Sequence, residues 1–333
     1  MALRLEPLDE YMHELGPEAN FNESMYFNLF DPLTRVGGFF RLGNRANEGT
    51  GEMTTCVYLP DGRVAFMFQR PKVTTNDAFD AAGMRFDVVE PFKELRVTYE
   101  GPVVLLDDPL QMADPRAAFT GNPHVSCRAA LTYTGVAPMF GGEPDTPVEA
   151  AGEEFARGHY EQLVAATGEI EVDGVRAEVD GFGLRDHSWG PRYWQAPWYY
   201  RWLTANFGAD FGFMGSRIAR RDVEGIRSGF VWDGRQLHLC DDFRVRSTWQ
   251  GEDSYHQTVE AELASGDRRW SVRGDVLSMI PLRNRRHDPE GNLLVTRISE
   301  GLTRWTLDDG RVGYGLSEYL DQIVDGRPVG IDE

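Results

Sequence analysis

The residues best suited to chemistry in this sequence are concentrated in the segment 181–202. It holds four of the eight tryptophans and three tyrosines, and among them lie one aspartate, one histidine and three arginines. Aromatic side chains offer large apolar contact area, and a charged group among them must be partnered or have its pKa displaced. Acids and bases in such surroundings are typical of proton transfer to an apolar molecule. The candidate residues here are Asp186, His187, Trp189, Arg192, Trp194, Trp198 and Tyr200.

Asp186 and His187 are adjacent in sequence, so an extended chain would direct their side chains to opposite faces. The two groups therefore need not face the same cavity. One interpretation makes Asp186 a catalytic acid. The other makes it the partner of Arg185 or Arg192 in an ion pair that fixes a corner of the chain, and the spacing does not separate the two.

A second acid–base pair, His159 and Glu161, precedes this segment. A strand would place both side chains on one face and Tyr160 on the other. A carboxylate and an imidazole at this spacing can serve as acid and base at one site. The alternative is a surface pair without a catalytic role, and the residue types alone favour that alternative.

No metal-binding or nucleotide-binding motif accompanies these residues. His159 and Glu161 would supply two metal ligands, but the HExxH, CxxC and facial-triad spacings are missing. The sequence also lacks the Gly-x-Ser-x-Gly elbow, the Gly-x-x-x-x-Gly-Lys phosphate loop and a Gly-x-Gly-x-x-Gly motif between a strand and a helix. We therefore expect no metal and no nucleotide, phosphoryl or serine-hydrolase chemistry.

The composition is that of a soluble globular protein with a strong negative charge. The 333 residues are 41% hydrophobic and 26% charged, with a net charge of −19 at pH 7. This charge argues against binding to nucleic acid or to an anionic membrane surface. The sequence has no apolar run of membrane-spanning length and no secretory signal, and its three cysteines are far apart. We expect a reduced, cytoplasmic protein and leave its oligomeric state open.

Alternation of apolar and polar residues dominates the chain, and Asp-Gly turns interrupt it. Each turn lies between two runs of β-branched and aromatic residues, which is typical of a β-hairpin. Hairpins occur in both halves, so the pattern favours an antiparallel all-β architecture over alternating βα units. We expect two domains, 1–195 and 196–333. The turns lie at 61–62, 173–174, 233–234 and 308–310.

The order of motifs in the middle of the chain resembles the AttH, carotenoid 1,2-hydratase and kievitone hydratase superfamily, and its bacterial members in particular. The shared order is a tyrosine-containing strand, a glycine-bounded hairpin and an Asp-His-x-Trp-Gly segment. The resemblance is most specific over about residues 155–195, and elsewhere it is limited to the hairpin texture. The residues that carry it are Tyr160-Glu161, 168–174, 179–181 and 185–190.

The resemblance implies two lipocalin-like antiparallel β-barrels packed side by side, with a pocket for a lipophilic molecule. It also implies a cofactor-free lyase that adds water to an isoprenoid carbon–carbon double bond. Such a reaction needs an acid to protonate the alkene, aromatic faces to stabilise the cation and a base to orient water. Asp186 is then the leading proton donor, and His187, or His159 with Glu161, would position the water. The substrate-binding residues would be Tyr160, Trp189, Arg192, Trp194, Trp198 and Tyr200.

Two other functions fit the same residues. A carrier of a hydrophobic small molecule would need the cavity but no converging acid and base. A terpenoid or polyketide cyclase would use the pocket to enforce a substrate conformation. Ion pairs from Asp186 and Glu161 to arginines away from any cavity would favour the carrier.

Overall fold

Runs of alternating and β-branched residues fold into strands through most of the chain. The structure is a computed structural model that describes residues 3–145, 154–221, 223–288 and 290–331. Two antiparallel sheets contain nearly all of the regular structure. The predicted all-β class is confirmed, and each sheet is curled in the lipocalin-like manner. No described helix has the length and apolar character needed to cross a membrane.

Residue contacts divide the chain into two units. The first comprises Met1–Asp108 and Ala118–Tyr193, and the second comprises Pro109–Ala117 and Trp194–Glu333. The nine residues 109–117 interrupt the first unit in sequence, and no local pattern in the sequence predicted their grouping with the second unit. The described helices are three 3-10 helices and one α-helix: Pro7–Glu10, Ala46–Glu48, Pro109–Ala113 and α1 (Pro115–Gly121).

The sheet of the first unit has twelve strands. These are β1 (Leu3–Arg4), β2 (Phe21–Asp31), β3 (Val36–Arg45), β4 (Thr50–Tyr58), β5 (Val64–Gln69), β6 (Phe79–Ala81), β7 (Met84–Glu90), β8 (Glu94–Leu106), β9 (His124–Gly135), β10 (Phe140–Pro144), β11 (Gly158–Val172) and β12 (Val175–Pro191). Strand β9 pairs with both β8 and β11, so eight strands close a ring in the order β11-β12-β2-β3-β4-β5-β8-β9.

The inner face of this ring carries the hydrophobic core of the first unit. On β2, Met25, Phe27 and Leu29 point inward, and each is almost fully buried. Even-numbered residues of β11, such as Val164, face the same core because strand side chains alternate. Burying these aliphatic and aromatic side chains is the main stabilising contribution to the ring.

The hairpin β11–β12 carries most of the predicted site. Asp173 and Gly174 form its turn, both with positive φ (53° and 76°), as an Asp-Gly hairpin turn requires. Farther along β12 the backbone passes very close to β2, since a Cβ added at Gly183 would lie 1.8 Å from the carbonyl oxygen of Asn28. Only glycine permits this approach, and it sets the spacing of the two strands.

The N-terminal segment lies against the first sheet ahead of β2. Its 3-10 helix begins at Pro7, and the backbone N–H of Glu6 donates to the Asp9 carboxylate at 2.7 Å. The side chain of Glu10 at the end of this helix is fully buried. The helix therefore delivers a carboxylate to the inner face of the ring.

The sheet of the second unit has ten strands and the path β16-β15-β14-β13-β21-β20-β19-β18-β17, with β22 on β21. Leu203, Phe213 and Trp305 are among the buried side chains of its core. The strands are β13 (Tyr199–Asn206), β14 (Gly212–Arg220), β15 (Val223–Trp232), β16 (Leu237–Leu239), β17 (Asp242–Gln250), β18 (Tyr255–Ser265), β19 (Arg268–His287), β20 (Leu293–Leu307), β21 (Val312–Val324) and β22 (Arg327–Pro328).

Candidate active site

The register of β11 and β12 decides which predicted residues lie together. Glu161 is directly opposite Asp186, and Tyr160 is directly opposite His187. Asp186 and Glu161 therefore share the outer face of the ring, while His187 and Tyr160 share the inner face. The structure brings together two pairs of the predicted residues, and it separates Asp186 from its sequence neighbour His187.

Asp186 is a partly buried carboxyl group with arginines near it but none bonded to it. Burial raises its pKa to about 6, against the lowering effect of Arg192, Arg41 and Arg185. Within the described part of the chain this carboxyl accepts no hydrogen bond and forms no ion pair. The ion pair with Arg185 or Arg192, which the sequence leaves open, is therefore not formed.

Glu161 lies beside Asp186 and is more deeply buried, with 2% of its surface exposed. The Nε2 atom of His159 lies 3.8 Å from Glu161 Oε1, and the His159 side chain is 44% exposed. The predicted sharing of one face by His159 and Glu161 is thus seen in the structure, with the imidazole at the solvent side of the carboxylate.

Hydroxyl groups and Arg192 continue this outer face along β12. The Ser188 hydroxyl accepts a 2.8 Å hydrogen bond from Arg192 Nη2 and lies 3.1 Å from the Ser24 hydroxyl on β2. Arg192 also donates to the backbone oxygen of Phe155 at 3.0 Å and lies over its ring. These contacts hold the guanidinium of Arg192 in place near Asp186.

Across β2 and β3, the row that contains Asp186 continues with Tyr26 and then Arg41. Tyr26 is 5% exposed and stacks on Phe39 with ring centroids 5.8 Å apart. Arg41 donates to Glu52 at 3.3 Å. Along the described strands β2 and β3 both faces are almost entirely withdrawn from solvent, so the outer face has the low polarity that strengthens electrostatic interactions.

The inner face holds an ion pair between Arg185 and Glu10. Arg185 donates to both Glu10 oxygens, at 2.7 and 2.9 Å, and neither side chain is exposed. Arg185 Nε donates to Gln162 Oε1 at 2.9 Å, and the Tyr160 hydroxyl donates to Glu10 Oε1 at 2.6 Å. Burial would raise the pKa of Glu10, but Arg185 and Tyr160 hold it below its usual value.

A second buried carboxylate, Glu23, lies between two imidazoles on the same face. Glu23 Oε1 is 2.7 Å from His13 Nδ1 and 2.9 Å from His187 Nε2. The amide of Asn76 and the backbone N–H of His13 donate to Glu23 Oε2 at 2.5 and 2.9 Å. Burial would raise the pKa of Glu23, but its contacts with the two imidazoles lower it to about 2.

The predicted aromatic residues are divided between the two units. Trp189 is on the inner face, stacked on His13 with ring centroids 4.0 Å apart, and its indole N–H donates to Glu143 at 2.9 Å. Trp194, Trp198 and Tyr200 belong to the second unit, where Trp198 lies under Arg221 and the Tyr200 hydroxyl donates to Glu318.

Several site residues were missed because they come from distant parts of the sequence. Glu10, His13 and Glu23 precede the hairpin by more than 130 residues, and each carries no local motif. No local pattern in the sequence places Tyr26 and the partly buried Arg41 in one row with Asp186 either. A signal did exist for Glu23, since it interrupts the alternating apolar row that Phe21 and Met25 belong to, and a buried charge there must find a partner.

Comparisons with known proteins identify the family and the fold of this chain. The profile of the family described as "Domain of unknown function (DUF7064)" matches residues 6–323. The chain belongs to this family. Among curated proteins, no sequence matches that of this DUF7064 member.

Three solved structures resemble the DUF7064 chain over nearly its whole length. A candidate AttH protein from Nitrosomonas europaea is 13% identical, with a TM-score of 0.54 and 96% of each chain covered. CghA with Sch210972 is 12% identical, with a TM-score of 0.53 and 96% of this chain and 95% of that one covered. Kievitone hydratase from Nectria haematococca is 7% identical, with a TM-score of 0.55 and 95% and 92% covered. At these identities the likeness shows the fold, which is the fold that the sequence resemblance implied.

Proposed function

We propose that this protein is an acid–base enzyme, a hydratase or a related lyase or isomerase, that acts on a carbon–carbon double bond of a lipophilic terpenoid, steroid-like or prenylated substrate. The observation that carries the proposal is the Asp186 carboxyl group, which is partly buried and makes no hydrogen bond or ion pair within the described residues. A carboxyl group that only stabilised the fold would be expected to have such a partner.

Asp186 and Glu161 supply a proton donor and a proton acceptor at one place. They are directly opposite each other on neighbouring strands, where like charges repel and one shared proton is favoured. The protonated Asp186 gives its proton to an alkene carbon, and a water molecule attacks the resulting carbocation. Glu161 takes the proton that this water releases, so the product gains one hydrogen and one hydroxyl group.

The neighbours of Asp186 offer an aromatic face to a carbocation and stabilise the carboxylate that proton transfer leaves behind. The ring of Tyr26 lies on the adjacent strand in the same row and offers an aromatic face. Arg192 and Arg41 keep a negative charge on the deprotonated Asp186 favourable after the transfer. The resemblance in fold to kievitone hydratase agrees with the proposal at the level of architecture.

The test uses Asp186→Asn and a matched variant of the same strand. Asp180→Asn changes an exposed aspartate of β12 to the same amide and serves as the control. A panel of prenylated and terpenoid alkenes is incubated in isotopically labelled water, and the products are analysed by mass spectrometry. We expect a hydrated product whose rate falls by about 10²- to 10⁴-fold in Asp186→Asn and is unchanged in Asp180→Asn.

Other outcomes separate the alternatives. Turnover to a product isomeric with the substrate, with no oxygen taken from water, would identify an isomerase within the proposed class or a cyclase. Tight binding of the alkenes without turnover would assign a carrier. Equal turnover by Asp186→Asn and the wild type would remove Asp186 from the mechanism.

A further inference from the structure

We propose that His13, Glu23 and His187 form a binding site for a divalent transition-metal ion, Zn²⁺ above all, on the inner face of the first ring. This goes beyond the proposed function, because Asp186 and Glu161 are on the outer face of the ring. The three side chains offer two imidazole nitrogens and one carboxylate oxygen, all within 4.8 Å of one another. Two histidines and one glutamate are an established ligand set for zinc.

Two imidazole nitrogens lie close to the same carboxylate oxygen. Glu23 Oε1 lies 2.7 Å from His13 Nδ1 and 2.9 Å from His187 Nε2. Ligands about 2.0–2.2 Å from a tetrahedral zinc ion are about 3.3 Å apart. Each of the two distances to Glu23 Oε1 therefore has to widen by only about 0.5 Å. Small side-chain rotations supply this change.

The remaining ring nitrogens have the partners that metal-bound histidines need. His13 Nε2 lies 3.4 Å from the Asp9 carboxylate, and His187 Nδ1 lies 3.3 Å from the Tyr160 hydroxyl. A histidine that binds a metal through one nitrogen typically donates its other N–H to such an oxygen, which orients the ring. Glu23 Oε2 is likewise held by Asn76, and the backbone N–H of His13 lies 2.9 Å from Oε2 and 3.1 Å from Oε1, so these donors fix the carboxylate with Oε1 toward the two imidazoles.

The number of N–H donors on the two imidazoles favours a bound metal ion over two neutral histidines without one. A neutral imidazole has one N–H. If His13 and His187 both donated to Glu23, the lone pair of His13 Nε2 would face the Asp9 carboxylate. The lone pair of His187 Nδ1 would face the Tyr160 oxygen, whose hydrogen is donated to Glu10. With a metal ion between the ligands, both outer N–H groups point at oxygens and every contact is favourable.

The net charge of the buried groups around the proposed site also favours binding of a cation. Among the described residues, the carboxylates of Asp9, Glu10 and Glu23 are buried here with one buried arginine, Arg185, while Arg4 near Asp9 is 47% exposed. A divalent ion brings this group close to neutrality, which a buried group of charges requires. Two protonated imidazoles would supply the same charge, but they would place like charges in rings only 5.8 Å apart.

The ion would join the N-terminal segment to the sheet. Glu23 is on β2 and His187 on β12, whereas His13 belongs to the segment ahead of β2. Metal binding would therefore hold the chain around His13 in place, and its loss would free that segment while the strands stay paired.

The experiment measures metal content and its effect on the fold, without any activity assay. Untagged protein is dialysed against ZnCl₂ and then against metal-free buffer, and its zinc is measured by plasma mass spectrometry. We expect about one zinc ion per chain in the wild type and in His124→Ala, whose histidine is exposed and remote in sequence from the cluster. His13→Ala should retain less than about one tenth of that amount.

Chelation tests the wild-type chain itself. EDTA should lower Tm by about 5 to 10 °C and speed amide hydrogen exchange in residues 6–15, and ZnCl₂ should reverse both effects. His13→Ala should show neither response. Wild-type protein that takes up no zinc, or whose Tm and amide exchange are unchanged by EDTA, would overturn the proposal and leave Glu23 held by hydrogen bonds alone. Neither result bears on turnover, so the proposed function is tested separately.

Discussion

The guanidinium of Arg185 and the carboxylate of Glu10 form a two-bond ion pair with no exposed surface on either side chain. The pair connects the N-terminal 3-10 helix to β12, which lie 175 residues apart in sequence. Taking two such charges out of water is costly, and the parallel hydrogen bonds together with Gln162 and Tyr160 offset that cost.

Removing one charge of this pair should destabilise the protein strongly. In Glu10→Gln the buried Arg185 would lose its counter-ion, and we expect the free energy of unfolding to fall by about 3–5 kcal/mol. Glu90→Gln makes the same change in the exposed Glu90–Lys93 pair and should cost less than about 1 kcal/mol. Urea unfolding of both variants measures the difference, and equal losses would contradict the role given to the buried pair.

The close approach of β12 to β2 predicts an effect of adding one methyl group. In Gly183→Ala the new Cβ would meet backbone atoms of Asn28 at 1.8 and 2.5 Å, so the strands would have to separate. We expect the free energy of unfolding, measured with urea, to fall by about 1–3 kcal/mol. Gly121→Ala has open space around its Cβ and should change stability little. If Gly183→Ala unfolds at the same urea concentration as Gly121→Ala, the two strands have room for the added methyl group.

Some of this site could be predicted from strand periodicity alone. Alternation is enough to place Asp186 and His187 on opposite faces and His159 with Glu161, because a strand repeats every two residues. The opposition of Glu161 and Asp186 requires the register as well, and the Asp-Gly turn at 173–174 fixes it. The hairpin and the composition of its two faces can thus be predicted from the sequence.

The rest depended on contacts between distant segments. Nothing in the spacing of His13, Glu23 and His187 relates them, since 10 and 164 residues separate them and ligand motifs rely on short, regular intervals. The expectation of no metal considered only such intervals. Likewise, the sequence spacing offers Arg185 as an ion-pair partner for Asp186, and only the fold shows that Arg185 pairs with Glu10.

Stability should fall in acid because of His256 in the second unit. Its ring is fully buried against Tyr319, with centroids 3.8 Å apart, and Nε2 lies 2.8 Å from the Ser317 hydroxyl. Burial, reinforced by Arg201 and Arg297, lowers its pKa from 6.5 to about 3. Below pH 6.5 the unfolded chain binds this proton more readily than the folded one, so the free energy of unfolding decreases as the pH falls.

The size of this effect is measurable against a matched variant. Between pH 7 and pH 4 it amounts to at most about 3 kcal/mol. Urea unfolding at several pH values should show a shallower pH dependence in His256→Gln than in the wild type. His124→Gln, which replaces an exposed histidine, should keep the wild-type slope. Parallel slopes for the wild type and His256→Gln would mean that other groups cause the acid sensitivity.

Two fully buried tyrosines should respond in opposite ways to the loss of their hydroxyl groups. The Tyr160 hydroxyl donates to Glu10 at 2.6 Å and accepts from Arg185 at 3.3 Å, whereas the Tyr133 hydroxyl has no hydrogen-bond partner among the described residues. Tyr160→Phe leaves buried polar groups unsatisfied and should cost about 1–3 kcal/mol. Tyr133→Phe removes a buried polar group that lacks a partner and should be neutral or stabilising. Both changes delete one oxygen, so urea unfolding compares the hydrogen bonds directly. A cost at Tyr133 equal to that at Tyr160 would reveal a partner for Tyr133, such as a buried water molecule.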